Sequence, residues 1–132
     1  MRLRSIFYVL LIVGCGLLIR CSPPSLQDKM KEVVENTNKN CPLPVDQETR
    51  LDKMAVTGEK TLQYYYTLLN VDKNSVDINA YKGPIVNQLV NAVKSNPELR
   101  YFRDNDLTFI FTYKDLSGAV LFETTISPEF YK

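Results

Sequence analysis

The chain predicts an α+β two-layer sandwich: a four-stranded antiparallel sheet with two main helices packed on one face, in the order αββαββ, behind an N-terminal membrane-targeting segment. Three observations carry that prediction. Residues 26–34 and 81–93 repeat apolar side chains every three or four positions, the period of an amphipathic helix. Residues 61–69, 107–114 and 119–126 alternate side chains with period two, as half-buried strands do. Short polar turns join strand candidates in pairs, which is how antiparallel neighbours are linked.

The elements follow in order. Ser25, with Asp28 three residues on, has the spacing of a capping box and opens a helix whose stripe is Leu26, Met30, Val33 and Val34. The run Asn-Thr-Asn-Lys-Asn at 36–40 ends it. Cys41-Pro42-Leu43-Pro44 is expected to be irregular, because proline lacks a donor and restricts the residue before it. Residues 50–56 form a strand, 57–60 a turn, and 61–69 the clearest strand. In that strand Leu62, Tyr64, Tyr66 and Leu68 share one face and Gln63, Tyr65, Thr67 and Leu69 the other. A polar connection leads to a helix over 78–93 that begins near Gly83 or is kinked by Pro84. Asn96-Pro97-Glu98 caps a short helical turn reaching Phe102. Strands at 107–114 and 119–126, joined by the turn Asp115-Leu116-Ser117-Gly118, close the domain as a hairpin.

Ahead of that domain, Arg2 and Arg4 precede an apolar run at 6–19, broken only by Gly14, Cys15 and Gly16. A basic start and a short apolar stretch are the layout of an export signal. As a helix the run is roughly 21 Å long, short of the ~20 residues a straight span needs. Three readings fit. The tetrapeptide Ile12-Val13-Gly14-Cys15 resembles the lipobox of bacterial lipoproteins, which implies a lipid on Cys15. The segment can instead stay as an uncleaved signal anchor, or be removed near Cys21. All three place the domain outside the cytoplasm. The expected organisation is therefore a targeting or anchor segment at 1–21, a stiff Ser-Pro-Pro spacer at 22–24, and one α+β domain at 25–132. A Cys21–Cys41 bridge would have to fold back across a helix roughly 20 Å long, so Cys41 is expected to be unpaired.

Composition narrows the chemistry. The 132 residues contain no histidine and no tryptophan. The commonest general base and the commonest metal ligand are therefore missing, and no Ser-His or Cys-His nucleophile can be built. Three scattered cysteines do not make a zinc site. Of the 16 basic residues, Arg2, Arg4 and Arg20 lie in the leader, so 13 face 15 acidic residues in the domain. A domain with that balance and no basic stripe is not expected to bind nucleic acid. No small-molecule cofactor, metal or enzymatic activity is expected.

The stretches CPLPVDQETRLD (41–52), LQYYYTLLN (62–70), NPELRYF (96–102) and FTYKDLSGAVLFETTI (111–126) resemble those of small, uncharacterised bacterial envelope proteins, lipoprotein-like or signal-anchored, with one such domain. The resemblance implies extracytoplasmic placement and a similar fold, and carries no catalytic motif. Such relatives often have a cysteine just before the segment matching NPELR and another near the end. Lys94 and Tyr131-Lys132 stand there in this chain, so any disulfide tying the second helix to the tail is absent.

Candidate site residues fall in three groups. If the helices cover Leu62, Phe109 and Phe122, the far face of the sheet shows Tyr65, Leu69, Ile110 and Leu121 in a polar field, the make-up of a partner-binding surface. Asp104, Asn105 and Asp106 offer oxygen ligands, without the glycine and distal glutamate of a calcium loop. Asp46, Glu48 and Asp52 gather around Arg50, as a surface ion cluster does more often than an acid–base pair. Arg100 and Arg103 flank Tyr101 and Phe102 as exposed cations beside packed rings.

The expectation is thus a non-enzymatic, membrane-tethered binding or assembly module of the bacterial envelope, facing the periplasm or the outside. It is held to the membrane through its N-terminal segment, with another envelope protein as partner, a secretion component being one candidate. The alternative is a small envelope hydrolase working with carboxylates alone. The first should show a flat apolar patch on the free sheet face, the second two convergent carboxylates in a pocket. A protective protein against a toxin or phage would share the binding chemistry of the first.

Overall fold

The computed structural model describes residues 22–132, so the leader, with Cys15 and Cys21, lies outside the described residues. Helix α1 (Leu26–Asn38) leads to a two-residue strand β1 (Leu43–Pro44), then β2 (Thr49–Gly58) and β3 (Thr61–Leu68). Helix α2 (Ile78–Ser95) follows, then a 3-10 turn at Pro97–Leu99 and the short α3 (Arg100–Asp104). Strands β4 (Thr108–Lys114) and β5 (Val120–Ile126) and a last turn of helix, α4 (Pro128–Tyr131), complete the chain. Among the described residues no helix is long and apolar enough to cross a membrane.

The capping box forms as its spacing predicts. The Ser25 hydroxyl accepts from the Asp28 N–H at 3.2 Å, and the Asp28 carboxylate accepts from the Ser25 N–H at 3.0 Å. At the other end of α1 the Asn38 amide accepts from the Met54 N–H (2.8 Å) and donates to the Met54 carbonyl (3.0 Å). That pair fixes α1 to β2 and occupies strand backbone beyond the two residues, Arg50 and Leu51, that β1 covers.

The sheet corrects the expectation in two ways. It has five strands in the order β1-β2-β3-β4-β5, and it is mixed: β3 and β4 run parallel, the other pairs antiparallel. The parallel pair follows from its connection. Two strands joined by a tight turn must reverse, but β3 and β4 are joined through an 18-residue helix that carries the chain back to its starting end. The extra strand is Leu43–Pro44, which pairs with Leu51 and Arg50 at the sheet edge, where a proline's missing donor costs no ladder bond. Helix α2 starts at Ile78, as the expected 78–93 span has it, with Asp77 accepting from the Asn79 N–H; it runs through Gly83 and Pro84 and does not begin at them.

Alternation along β3 and β4 sorts the side chains. Leu62, Phe109, Leu107 and Ile126 are fully buried beneath the helices together with Met30 of α1. Burying side chains of this size contributes about 1.5–3 kcal/mol each. The C-terminal tail is tied to this core. The buried Tyr131 hydroxyl donates to the Leu107 carbonyl at 2.6 Å, its ring meets Phe109 edge-on at 6.0 Å, and Lys132 pairs with Asp106. Asp115 closes the β4–β5 turn: its carboxylate accepts from the Ser117 hydroxyl and from the backbone N–H groups of Ala119 and Lys73. Those donors, the Ser117 hydroxyl first, hold its carboxyl below the usual carboxylate range.

Candidate functional site

Helix α2 is loosely seated. Of its 18 residues Val93 is the one that is buried, while Ile85, Val86, Leu89 and Val90 are half-buried. The space left between α2 and the sheet forms three adjoining cavities. The first, about 450 Å³, lies between α1 (Val33, Thr37) and the C-terminal half of α2 (Leu89, Ala92, Val93). Its floor is Tyr64, Tyr66 and Phe111. The second, about 220 Å³, shares Tyr66, Leu89 and Ala92 with the first and adds Tyr113 and Val45. The third, about 520 Å³, shares Ile85 and Gln88 with the second and reaches Tyr81 and Leu68.

Shared walls make these one groove along α2. Tyr81, Ile85, Gln88, Ala92 and Asn96 recur at helical spacing on one side, so its length is roughly 22 Å at 1.5 Å per residue. The opposite wall is α1 and the loop from β1 to β2. The floor is a stack of rings. Tyr64 lies 5.0 Å from Phe111, Tyr66 lies 5.1 Å from Tyr113, and Tyr113 lies 4.8 Å from Phe122, all near-parallel. Offset stacking of this kind adds about 0.5–1.5 kcal/mol per pair beyond area burial and makes the floor rigid.

Tyr64, Tyr66 and Tyr113 line the groove, and among the described residues their hydroxyls bond no other residue. Burial, reinforced by Cys41, pushes Tyr66 up to about 12. Burial also raises Tyr64, with Tyr66 beside it, and Tyr113, with Tyr66 and Asp46 nearby. These groups stay neutral donors and acceptors at physiological pH. Cys41 is half-buried, and burial raises its thiol as well.

The free face of the sheet differs from expectation. Gln63, Tyr65 and Thr67 of β3 stand beside Ile110, Thr112 and Lys114 of β4, as alternation predicts. Tyr65 lies under two cations, with Lys53 Nζ 4.8 Å and Lys114 Nζ 5.6 Å from its ring centre. Next to it Thr112 donates to Glu123 at 2.7 Å, and Gln63 donates to Thr112 at 2.9 Å. Asp52, the extra residue in a β2 bulge, accepts from Arg50 Nε at 2.7 Å and from the Thr67 hydroxyl at 2.6 Å. Two of the expected anchors are not on the ladder of this face. Leu69 sits past the end of β3, its N–H donating to the Glu48 carbonyl. Leu121 is the extra residue of a bulge in β5 and is 9% exposed, inside the core cluster. Tyr65 and Ile110 remain, both half-buried. The flat apolar patch expected on this face is replaced by a hydrogen-bonded polar lattice, and the open apolar surface lies in the groove instead.

The remaining candidates separate. Asp104 pairs with Arg100 at 3.7 Å and Asp106 with Lys132, whose contact holds the Asp106 carboxyl below the usual range. Among the described residues no three Cys, Asp or Glu side chains gather as a metal site would need. Asp46 and Glu48 sit on the groove rim as exposed loop residues, with the Asp46 carboxylate accepting from the Glu48 N–H at 2.7 Å. Asp52 belongs to the bonded cluster on the free face, so the acidic trio does not converge. Arg103 is half-buried and donates to the carbonyls of Val93 and Asn96 at 2.7 Å each, closing the end of α2. The helical repeat over 81–93 and the alternation over 61–69 count Ile85, Leu89 and Tyr66 among inward-facing residues and give no role to Gln88 and Ala92. The signal available was the interruption of an apolar stripe by a glutamine and an alanine, which leaves no large side chain to close the gap.

A two-layer α+β domain with a mixed five-stranded sheet and an open, aromatic-floored groove is therefore the class defined by fold and site. The profile of a domain of unknown function, DUF8479, matches residues 25–122, and the chain belongs to that family. No curated protein sequence matches it. Three solved structures share the fold. A Pseudomonas aeruginosa protein, provisionally described as secreted, superposes with a TM-score of 0.68 at 12% identity, covering 83% of this chain and 100% of its own. The pilotin of the Vibrio vulnificus type 2 secretion system gives 0.64 at 7% identity, covering 79% of this chain and 89% of its own. The type II secretion pilotin of Vibrio cholerae gives 0.60 at 11% identity, with 77% and 88% covered.

Proposed function

We propose that this protein is a non-enzymatic binding module, tethered by its N-terminal segment on the extracytoplasmic side of a bacterial envelope membrane, and that it holds a segment of another envelope protein in the groove along α2. One observation carries the reading. A groove about four helical turns long, apolar over Tyr64, Tyr66 and Phe111 and polar toward Asp46, Glu48 and Asn70, stays open on a domain whose other sheet face is closed by its own hydrogen bonds and cation–ring contacts. Rigid tyrosines with free hydroxyls suit a protein partner, since they give contact area and hydrogen bonds at low entropic cost. Two of the structures that share the fold are pilotins of type 2 secretion systems, which supports a secretion-system component as that partner.

The test compares three forms of the full-length protein in intact cells: wild type, Ala92→Trp and Tyr65→Ala. Ala92 is exposed on the groove wall, so tryptophan fills the groove without emptying the core. After reversible cross-linking, a discrete partner band should be kept by Tyr65→Ala and lost by Ala92→Trp. Loss in Tyr65→Ala with retention in Ala92→Trp would move the site to the free sheet face and overturn the reading.

A further inference from the structure

Resting on that groove, we infer that its occupant is a cationic amphipathic helix: one apolar stripe laid on the tyrosine floor, with lysine or arginine on its flanks. The first observation is charge. Every charged side chain that lines the three adjoining cavities is acidic: Glu98 toward the C-terminal end of α2, and Asp46 and Glu48 toward the other end. All three are exposed, and among the described residues none is ion-paired. Among the described residues no lysine or arginine lines the groove, although basic side chains are spread over the rest of the surface. Unpaired like charges along an apolar cleft attract a segment of opposite sign and repel an anionic one, a fatty carboxylate included.

The second observation is the kind of surface that forms the floor. The groove lies over the side chains of the sheet face, not along a strand edge. An extended peptide placed there would find no row of backbone partners, and its own N–H and C=O groups would be desolvated unpaired. A helix satisfies those groups internally and presents only side chains. Its anchors at i, i+3, i+4 and i+7 match a groove whose α2 wall itself repeats at that spacing. The phenols of Tyr64, Tyr66 and Tyr113 line the groove and stay neutral, so they can bond the polar edge of such a helix without ionising.

Two designed peptides of about 15 residues test this. They share one leucine–isoleucine stripe and differ only in lysine or glutamate on the flanks. Each is titrated against the full-length protein held in zwitterionic nanodiscs, with empty nanodiscs as the blank. In about 10 mM salt, where screening reaches ~30 Å, the lysine peptide should bind at least about tenfold tighter than the glutamate peptide. At about 1 M salt, with screening near 3 Å, the gap should shrink below about threefold. Changing Asp46, Glu48 and Glu98 together to lysine, all at exposed sites, should reverse the preference while the thermal midpoint stays put. Equal binding of both peptides, abolished by Ala92→Trp, would overturn the cationic helix and leave the groove reading standing. Binding of neither peptide, or binding that ignores Ala92→Trp, would overturn both. An extended lysine-rich peptide with a proline at alternate positions that binds as well as the helix would overturn the helical geometry.

Discussion

The two faces of one sheet are built from the same strands, yet one is open and the other is finished. On the helix side, Tyr64, Tyr66, Phe111 and Tyr113 stack into a floor whose hydroxyls bond no other residue among the described ones. On the far side, Gln63, Thr112 and Glu123 satisfy one another, Asp52 binds Arg50 and Thr67, and Tyr65 lies under Lys53 and Lys114. The difference comes from what covers each face. The far face carries polar side chains that satisfy one another, the buried Thr67 and Thr112 included. The helix face is meant to be covered, but α1 and α2 stand apart and cover only its flanks. An incompletely covered apolar face has an unmet driving force, and that is where a partner gains most by docking.

The sharpest way to break the comparison is to unbuild the shared core. Phe109→Ala should cost about 3–5 kcal/mol in urea melts, because Phe109 is fully buried, edge-on to the Tyr131 ring, and its loss leaves a cavity in the core. Thr125→Ala, opposite Ile110 on the far face, should stay within about 0.5 kcal/mol. Equal losses would mean that the two faces are not distinguished by burial. Next comes the contrast between tyrosine hydroxyls. Tyr131→Phe strands the buried Leu107 carbonyl and should cost about 1–3 kcal/mol. Tyr66→Phe removes a hydroxyl that bonds no other residue among the described ones and should change stability by less than about 0.5 kcal/mol, while weakening partner binding.

Alkaline pH gives a smaller, distinct signature. Tyr66 is raised from 10 to about 12 by burial, so the folded state holds its proton longer than the unfolded chain does. That contribution is fully present below pH 10 and is lost as pH rises through about 12. The urea midpoint should therefore fall between about pH 10 and 12, and fall less steeply in Tyr66→Phe. An unchanged slope in the variant would show that the phenol is not shielded as the groove requires. The smallest expected effect is on the rim. Glu98→Gln should leave stability within about 0.5 kcal/mol, because the side chain is exposed and unpaired among the described residues, and should show only in binding at low salt.

Local patterns of the chain carried most of this fold. Ser25 with Asp28 marked the start of α1, and alternation put Tyr64 and Tyr66 on one face and Tyr65 on the other. What alternation cannot carry is direction, since a period of two reads the same in parallel and antiparallel strands. The direction of β4 was written in the connection, a helix between two strands, and not in the strands. Leu121 was misplaced because a bulge adds one residue to β5 and breaks the alternation that assigned it. The groove was hidden for another reason. Tyr66, Ile85 and Leu89 look like core in sequence, because a residue lining an open cleft obeys the same hydrophobic period as one under a closed helix. The tail held a compensation as well. Tyr131 and Lys132 dock the last turn onto Leu107 and Asp106 without a disulfide.

The central claim is that the partner sits over the tyrosine floor and not on the far face. A photo-cross-linking amino acid placed in turn at Ala92 and at Gln63 of the full-length protein, in living cells, tests it most directly. The account predicts a discrete adduct from position 92, competed away by added lysine-flanked peptide in permeabilised cells, and none from position 63. An adduct formed from position 63 alone would contradict it.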